Sequence, residues 1–249
     1  MSPENRGIAP ETLRAVGPLP PMPPLARSAV LVIILMLCFV FLASEMMEGD
    51  LARFDTAVLM AFRTAGNDPI GPAWLQETGR DVTALGSFAF LGFLFAATTG
   101  YLLLIGKRGL ALLMVAAVLG GVVVSMALKL GFDRPRPDIP HTARVFTASF
   151  PSGHATLSAI TFLTLGALLT RATADRHIRA YFMTLAVILT VAVGISRIYL
   201  AVHYPSDVLA GWCVGSAWAV LCWTIGLRLQ QRDAVEVPAS AASMKRMAQ

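Results

Sequence analysis

The polar residues that could carry out chemistry lie in three short segments of an otherwise apolar chain. The first holds Lys129 and Arg136, the second is the Pro-Ser-Gly-His run 151–154, and the third extends from Ser196 to Asp207. Together they supply fixed positive charges, two histidines and an aspartate. Guanidinium groups fork onto tetrahedral oxyanions, and a histidine ring can act as a nucleophile or as a proton donor. This combination indicates phosphoryl chemistry.

The cations are expected to form a cradle for a phosphate group. Three fixed positive charges come from Lys129, Arg136 and Arg197. Arg134 is a fourth candidate for the same role. Ser152 occupies an N-cap position, so the free N–H groups that follow it point toward a bound anion. Gly153 lets that anion approach the backbone closely.

The two histidines of these segments differ in their neighbours. Asp207 follows His203 by four residues at a predicted helix start, so its carboxylate can fix the ring tautomer and leave the other nitrogen free to attack phosphorus. His154 has a reference pKa of about 6.5, which suits a proton donor to the departing oxygen. His203 is therefore the predicted nucleophile and His154 the predicted general acid. We assign no role to His141 or His177.

A metal site is the competing use of these residues. His203 and Asp207 have a spacing that metal ligands also use, and Asp133, Asp138 and His141 belong to the same side of the chain. The three nearby cations would repel a divalent ion, however, and they can hold a phosphoryl group without one. We therefore expect neither a metal nor another cofactor.

The elements that position these residues are predicted to be membrane helices. Of the 249 residues, 56% are hydrophobic and 14% are charged, and the mean hydropathy is +0.66. Soluble domains carry about 25% charged residues, so this composition excludes a soluble globular enzyme. A spanning helix needs about 20 mostly apolar residues. The six uncharged stretches that approach this length are 28–44, 82–106, 109–128, 155–170, 180–196 and 208–227.

The predicted fold is all-α, a six-transmembrane helix bundle over 28–229. We expect a disordered cytoplasmic N-terminus over 1–27 and a cytoplasmic tail over 230–249. Gly211 and Gly215 permit close helix approach, which favours packing within the molecule over a dimer contact. The sequence leaves the oligomeric state open.

The loop 45–81 between the first two spans contains an amphipathic segment, expected at the extracytoplasmic interface. Its predicted apolar face comprises Leu51, Phe54, Val58, Ala61 and Phe62. Its predicted polar face comprises Arg53, Thr56 and Arg63. The sequence does not assign this loop a function.

The order of the spans brings the three polar segments together. The first closes span three, the second opens span four, and the third closes span five and leads into span six, so all three face one side. Twelve Lys and Arg residues lie on the side of the termini and eight on the other. This bias favours cytoplasmic termini. We expect a multi-pass protein of the cell (inner) membrane whose site faces outside the cytoplasm, with a net charge of +5 that reflects topology rather than nucleic-acid binding.

These residues resemble the type 2 phosphatidic acid phosphatase superfamily in type, order and spacing. The matching positions are Lys129, Arg136, Pro137, Pro151, Ser152, Gly153, His154, Ser196, Arg197, His203 and Asp207. The resemblance covers about residues 81–227, and six spans favour the integral membrane branch over the soluble vanadium haloperoxidases. It implies metal-independent hydrolysis of a lipid phosphate or diphosphate through a phosphohistidine.

The resemblance also implies a role for each residue. His203 is the nucleophile, Asp207 its orienting partner and His154 the general acid. The residues that hold the phosphate are Lys129, Arg136, Ser152, Gly153 and Arg197. Candidate substrates, all drawn from the bilayer, are undecaprenyl diphosphate, phosphatidylglycerophosphate and phosphatidate.

Two other functions stay open. A lipid phosphotransferase would use the same phosphohistidine with a lipid as acceptor instead of water. A catalytically silent protein could retain the phosphate site for lipid binding or transport. Such a protein should have lost one of the two histidines or Asp207, and all three are present. The intact set favours an enzyme.

Overall fold

Helices follow one another along nearly the whole described chain. The structure is a computed structural model that describes residues 22–139 and 147–247, with side chains described up to residue 229. The helices are α1 (Pro24–Glu48), α2 (Ala52–Ala61), α3 (Ala73–Ala84), α4 (Phe88–Leu104), α5 (Arg108–Phe132), α6 (Gly153–Leu169), α7 (Arg176–Tyr199) and α8 (Pro205–Met247). A 3₁₀ turn, Thr170–Ala172, extends α6. The all-α prediction is confirmed.

Five helices are long and apolar enough to cross a membrane, namely α1, α5, α6 with its 3₁₀ turn, α7 and α8 up to Leu229. Helices α3 and α4 qualify only as a pair, which is bent by 46°. The bend has a local cause, because the Ser87 hydroxyl accepts from the Phe90 N–H (3.2 Å) and so caps a new helix. Counting the bent pair as one span gives six, the predicted number, although α3 lies mostly within the loop predicted over 45–81.

Helix α6 lies at the centre of the bundle. It packs mainly on α8 and α7 and also on α5, and more than half of its span is buried. Close approach to α8 depends on two glycines of that helix. A Cβ on Gly211 would lie 2.8 Å from the Ser152 carbonyl oxygen, and one on Gly215 would lie 2.5 Å from that of Thr156. The predicted packing of these glycines within the molecule is confirmed.

The ends of the chain extend the helices beyond the predicted domain. Helix α1 begins at Pro24, and α8 continues past residue 229 to Met247, so the backbone of the predicted tail is helical. Most of the predicted disordered N-terminus, residues 1–21, lies outside the described residues. The domain limits of 28 and 229 stay predictions.

The loop between α1 and α3 forms α2, and its buried side matches the prediction only in part, because Val58 and Phe62 of the predicted apolar face pack against the core. Asp55 and Leu59 are buried, whereas Phe54 of the predicted apolar face is 44% exposed. Arg63, predicted on the polar face, is buried and donates to the Tyr199 carbonyl at the end of α7 (2.5 Å). Asp55 of α2 and Arg63, which follows the helix, lie on the inner side because the bundle offers them hydrogen-bond partners. Its extracytoplasmic location stays a prediction.

We predict that Gly215→Val lowers the melting temperature of the detergent-purified protein. The added side chain would collide with the Thr156 backbone, and overpacking of this kind costs about 1–3 kcal/mol. Gly100→Ala in α4 is the control, because a Cβ there meets nothing within 4 Å. A Gly215→Val protein that melts normally but changes oligomeric state would instead place this glycine at a subunit contact.

Candidate active site

The three polar segments meet at one end of the bundle, as the order of the spans predicts. Each predicted site residue lies at or next to a helix end. Lys129 lies in the last turn of α5, Ser152 is the N-cap of α6, Arg197 lies in the last turn of α7, and Asp207 lies in the first turn of α8. Gly153 and His154 begin α6, while Arg136 and His203 occupy the connections after α5 and α7.

His203 is enclosed just before α8, with 1% of its surface exposed. Its Nε2 lies 3.0 Å from Nη1 of Arg136. A guanidinium can only donate, so Nε2 holds the lone pair and Nδ1 carries the hydrogen. Nδ1 lies 3.4 Å from Oδ2 of Asp207 and 3.3 Å from Oγ of Ser149. This geometry favours the tautomer needed for attack through Nε2.

Burial lowers the pKa of His203 to about 3. The hydrogen bond to Asp207 opposes this shift, and the positive charge of Arg136 adds to it. The ring is therefore neutral at physiological pH, and its contact with Asp207 is a hydrogen bond rather than an ion pair. A neutral imidazole keeps the lone pair that a nucleophile requires.

Asp207 is fully buried and receives hydrogen bonds from several elements. Its Oδ2 accepts from the Ser149 hydroxyl and from the Tyr204 N–H (2.9 Å). Its Oδ1 accepts from Nη1 of Arg134 (2.7 Å). Its backbone carbonyl accepts from the Ser152 N–H (2.9 Å), which joins the starts of α6 and α8. The carboxylate that faces His203 is thus fixed in position.

Arg136 is held without a carboxylate among its hydrogen-bond partners in the described chain. Its Nε donates to the Thr147 carbonyl (2.8 Å) and its Nη1 to the Val202 carbonyl (2.7 Å). Burial lowers the pKa of Arg136, and the more distant Asp207 opposes that shift. Because these hydrogen-bond partners are neutral, they leave the positive charge of Arg136 uncompensated beside His203.

Lys129 and Arg197 are held in the same way. Lys129 donates to the Ala148 carbonyl (2.7 Å), and Arg197 donates to the Thr83 hydroxyl (2.9 Å). Within the described residues, the buried Nε of Arg197 has no hydrogen-bond partner. A buried donor without a partner is costly, and a bound anion would supply one. Lys129, Arg136 and Arg197 together form a site with excess positive charge.

Arg134 does not belong to this group, which corrects its interpretation as a fourth phosphate ligand. Its Nη2 lies 2.7 Å from Asp55 and its Nη1 2.7 Å from Asp207. Its guanidinium also stacks over the Tyr204 ring, 4.3 Å from the centroid. Burial alone would lower the pKa of Arg134, but the two carboxylates outweigh burial and raise it. The charge of Arg134 is already matched.

The start of α6 provides the backbone side of the cradle. The Ser152 hydroxyl accepts from the Ala155 N–H at 3.5 Å. A Cβ on Gly153 would lie 3.3 Å from Cε of Lys129, so the missing side chain leaves room for the lysine to cross the helix start. The helix N-terminus and the lysine therefore face the same space.

His154 lies in the first turn of α6, close enough to Lys129, Arg136 and Arg197 for their positive charges to act on its ring. It also packs against the bend between α3 and α4, since a Cβ on Gly86 would lie 3.2 Å from its Cδ2. The bent span thus contributes two contacts to the site: Gly86 packs against the His154 ring, and the Thr83 hydroxyl accepts a hydrogen bond from Arg197.

Sequence reasoning missed four residues of this arrangement, namely Asp55, Thr83, Gly86 and Ser149. Asp55 carried a usable signal, because it lies at helical spacing from Leu51, Val58 and Phe62 and so interrupts an apolar face. Thr83 and Ser149 have no distinguishing pattern around them. Gly86 is a helix breaker inside a predicted span, and its relation to His154 depends on the bend.

Among the described side chains, in 22–139 and 147–229, no three or more His, Cys, Asp or Glu residues gather into a group that could hold a metal ion. His141, one of the residues weighed for such a site, lies outside the described residues. Metal independence stays a prediction.

Comparison with known proteins identifies the family. The model of the PAP2 superfamily matches residues 109–231. The decaprenylphosphoryl-5-phosphoribose phosphatase of Mycobacterium tuberculosis is 31% identical over 178 residues, which are 70% of this chain and 92% of that protein. This chain belongs to the PAP2 superfamily. Phosphatidylglycerophosphatase B of Bacillus subtilis is 29% identical over 73% of this chain and 87% of its own length.

A solved structure agrees with this PAP2 assignment. The crystal structure of a transmembrane PAP2-type phosphatidylglycerolphosphate phosphatase from Bacillus subtilis aligns with a TM-score of 0.73 at 27% identity. The alignment covers 79% of this chain and 96% of the other. The predicted family and the multi-pass membrane fold are confirmed. Because the named relatives are phosphatases, the prediction of a lipid phosphatase is confirmed as well.

We predict that Thr83→Val raises KM for a lipid phosphate about tenfold and changes kcat less. Valine keeps the shape of threonine but removes the acceptor for Arg197, so this proposed phosphate ligand loses its fixed orientation. Hydrogen bonds to charged groups contribute about 1.5–3 kcal/mol, and the lower figure corresponds to about tenfold. Steady-state kinetics checks this. Thr83→Ser is the matched control and should retain a near-normal KM, whereas an unchanged KM in Thr83→Val would show that Arg197 needs no such support.

Proposed function

We propose that this PAP2 protein hydrolyses a lipid phosphate or diphosphate through a phosphohistidine on His203. The observation that carries the proposal is the orientation of His203. Its Nε2 faces Arg136 at 3.0 Å, and its Nδ1 is directed toward Asp207. A nucleophilic nitrogen that faces cations without carboxylate partners suits attack on an anionic phosphoryl group, because those cations offset the repulsion between lone pair and anion.

In the first step, Nε2 of His203 attacks phosphorus and the bond from phosphorus to the lipid oxygen breaks. His154 donates a proton to that oxygen, and the lipid leaves. The Nδ1–H of His203 donates to Asp207 while the ring acquires positive charge. In the second step, His154 takes a proton from water, whose oxygen attacks phosphorus and releases phosphate from the ring.

Three cations hold the phosphoryl group through both steps. Lys129, Arg136 and Arg197 neutralise its equatorial oxygens, while the N–H groups after Ser152 add the positive end of α6. This arrangement supplies charge stabilisation that a divalent ion provides in other phosphatases. We therefore propose metal-independent hydrolysis.

The position of the site within the bundle sets the type of substrate and its route of entry. The site lies at helix ends, at the depth of lipid headgroups, while the flanking helices face hydrocarbon. A lipid tail can stay in the bilayer as its phosphate enters sideways, which avoids the cost of exposing the tail to water. Undecaprenyl diphosphate, phosphatidylglycerophosphate and phosphatidate all meet this condition.

The experiment that tests the function is a phosphate-release panel on the purified protein in excess EDTA. The substrates are a polyprenyl diphosphate, phosphatidylglycerophosphate, phosphatidate and lipid A. Release from at least one of them in EDTA is expected. Activity that disappears with EDTA and returns with a divalent ion would favour a metal enzyme, and phosphate that appears on a second lipid rather than in water would favour a phosphotransferase.

We predict that His203→Ala abolishes turnover and yields no trapped phosphoenzyme. His154→Ala should form phosphoenzyme slowly, because the leaving oxygen lacks its proton donor. Its defect should shrink on an aryl phosphate, whose leaving group departs without protonation. Rapid-quench kinetics with a lipid and an aryl substrate measures this difference. Equal defects on the two substrates would argue against an acid role for His154.

We predict that the site faces outside the cytoplasm of the cell membrane. Without the three cradle cations, the basic residues divide twelve against five toward the side of the termini, which strengthens the bias for cytoplasmic termini. The test is cysteine labelling in intact cells after replacement of Cys38, Cys213 and Cys222. An Ala65→Cys variant, exposed at the site end, should react with an impermeant maleimide.

The matched control is Ala174→Cys, which is exposed at the opposite end of the bundle. It should react only after the cells are lysed. The reverse pattern would place the site in the cytoplasm.

A further inference from the structure

Asp55 is a fully buried carboxylate that lies outside the three polar segments and outside the region matched by the PAP2 model. It comes from α2, in the loop between the first two spans. Its Oδ1 accepts from the Ser206 N–H (2.9 Å), and its Oδ2 accepts from the Ser206 hydroxyl (2.6 Å) and from Nη2 of Arg134 (2.7 Å). A residue of α2 therefore caps the start of α8.

Arg134 links this carboxylate to the one beside the nucleophile. Its Nη1 lies 2.7 Å from Oδ1 of Asp207 and 2.8 Å from the Ser206 hydroxyl. The path from Asp55 to the ring of His203 therefore has two intermediates, Arg134 and Asp207. Two carboxylates share one guanidinium, so the group as a whole carries one net negative charge next to a neutral imidazole.

That net charge matters for the first chemical step. Without Asp55, Arg134 and Asp207 would form a neutral pair, and the carboxylate would stabilise a developing imidazolium less well. With Asp55 present, the guanidinium is divided between two partners. More of the negative charge of Asp207 then acts on His203.

We propose that Asp55 is a positioning residue that acts through Arg134 to keep Asp207 effective as the partner of His203 during phosphoryl transfer. The proposal rests on the phosphohistidine mechanism above and adds α2 to the parts of the fold that set the rate. It predicts that the negative charge of Asp55 affects the rate of phosphoryl transfer, in addition to any effect of its hydrogen bonds to α8.

The first test compares Asp55→Asn with the unmodified chain in rapid-quench experiments on a ³²P-labelled lipid phosphate, with an alkaline quench that preserves phosphohistidine. Asparagine keeps the size of the side chain and removes the charge. Phosphoenzyme formation should slow about tenfold, the effect of one pKa unit of lost support for the imidazolium. Phosphoenzyme hydrolysis should not slow, because a less basic ring leaves phosphorus more easily. KM should change little.

Two controls separate charge from structure. Ser206→Ala removes hydroxyl contacts to Asp55 and Arg134 without changing charge, so it should lower the melting temperature and keep the ratio of the formation and hydrolysis rates. Asp55→Glu keeps the charge and should also keep that ratio. If Asp55→Asn and Ser206→Ala change the ratio equally, Asp55 serves only to attach α2, and the proposal is wrong.

In the double variant Asp55→Asn/Arg134→Gln, the second substitution is expected to reverse part of the rate loss caused by the first. The double variant removes one negative and one positive charge, so Asp207 again carries a net negative charge beside His203. Phosphoenzyme formation should be faster than in Asp55→Asn, whereas a purely structural role predicts that the second substitution adds damage. If the unmodified protein forms no phosphoenzyme, the proposed mechanism fails; if it does and the double variant is slower than Asp55→Asn, only the role of Asp55 fails.

Discussion

Asp207 has no exposed surface, and a carboxylate without water keeps its charge only if other groups pair with it and donate to it. Its donors come from separate parts of the chain: Arg134 after α5, Ser149 before α6 and Tyr204 before α8. The Ser152 N–H adds a bond to its backbone carbonyl. The hydrogen bonds to this one residue connect the end of α5 with the starts of α6 and α8. The remaining contacts of the site are built around that junction.

Four of the described cations belong to the candidate site or border it, and their hydrogen-bond partners divide them into two kinds. Arg134 is paired with carboxylates, so its charge stabilises the fold. Lys129, Arg136 and Arg197 donate to carbonyl or hydroxyl oxygens, which orient a cation without cancelling its charge. Assembling them without an anion costs electrostatic free energy, and a phosphoryl group would recover it. With Arg134 paired and the other three cations uncompensated, the same small region can be stable and also bind phosphate as proposed.

Much of this site could be predicted from the sequence because its residues lie next to helix ends. Hydropathy locates the spans, and the order of the spans shows that the ends of odd helices meet the starts of even ones. Residues such as Lys129 and Asp207 could therefore be placed together without any knowledge of packing. The close packing at Gly211 and Gly215 could also be predicted, since two glycines four residues apart on one helix face are typical of a close approach between helices.

The remaining contacts depend on partners that are remote in sequence. Asp55 meets Arg134 and Ser206 across 79 and 151 residues, and Arg197 meets Thr83 across 114. No local pattern encodes such pairs. The amphipathic reading of α2 assigned Arg63 to the outside because it assumed a purely apolar interior. A bundle end that already contains charges can accept others, so the hydrophobic pattern alone misses Asp55 and Arg63 on the inward side.

The location of the site at the end of the bundle follows from the same physics. Along the middle of a span, every backbone N–H is used by its own helix, and hydrocarbon offers no partner for a charge. At a helix start the first N–H groups are free, and connecting loops can supply carbonyls that orient cations. A polar network of this size is therefore least costly at helix ends, such as those where α6 and α8 begin. If α6 and α8 span the bilayer as proposed, their starts lie at the level of the lipid headgroups, so the constraint that places the network at helix ends also places it beside the phosphate of the proposed lipid substrate.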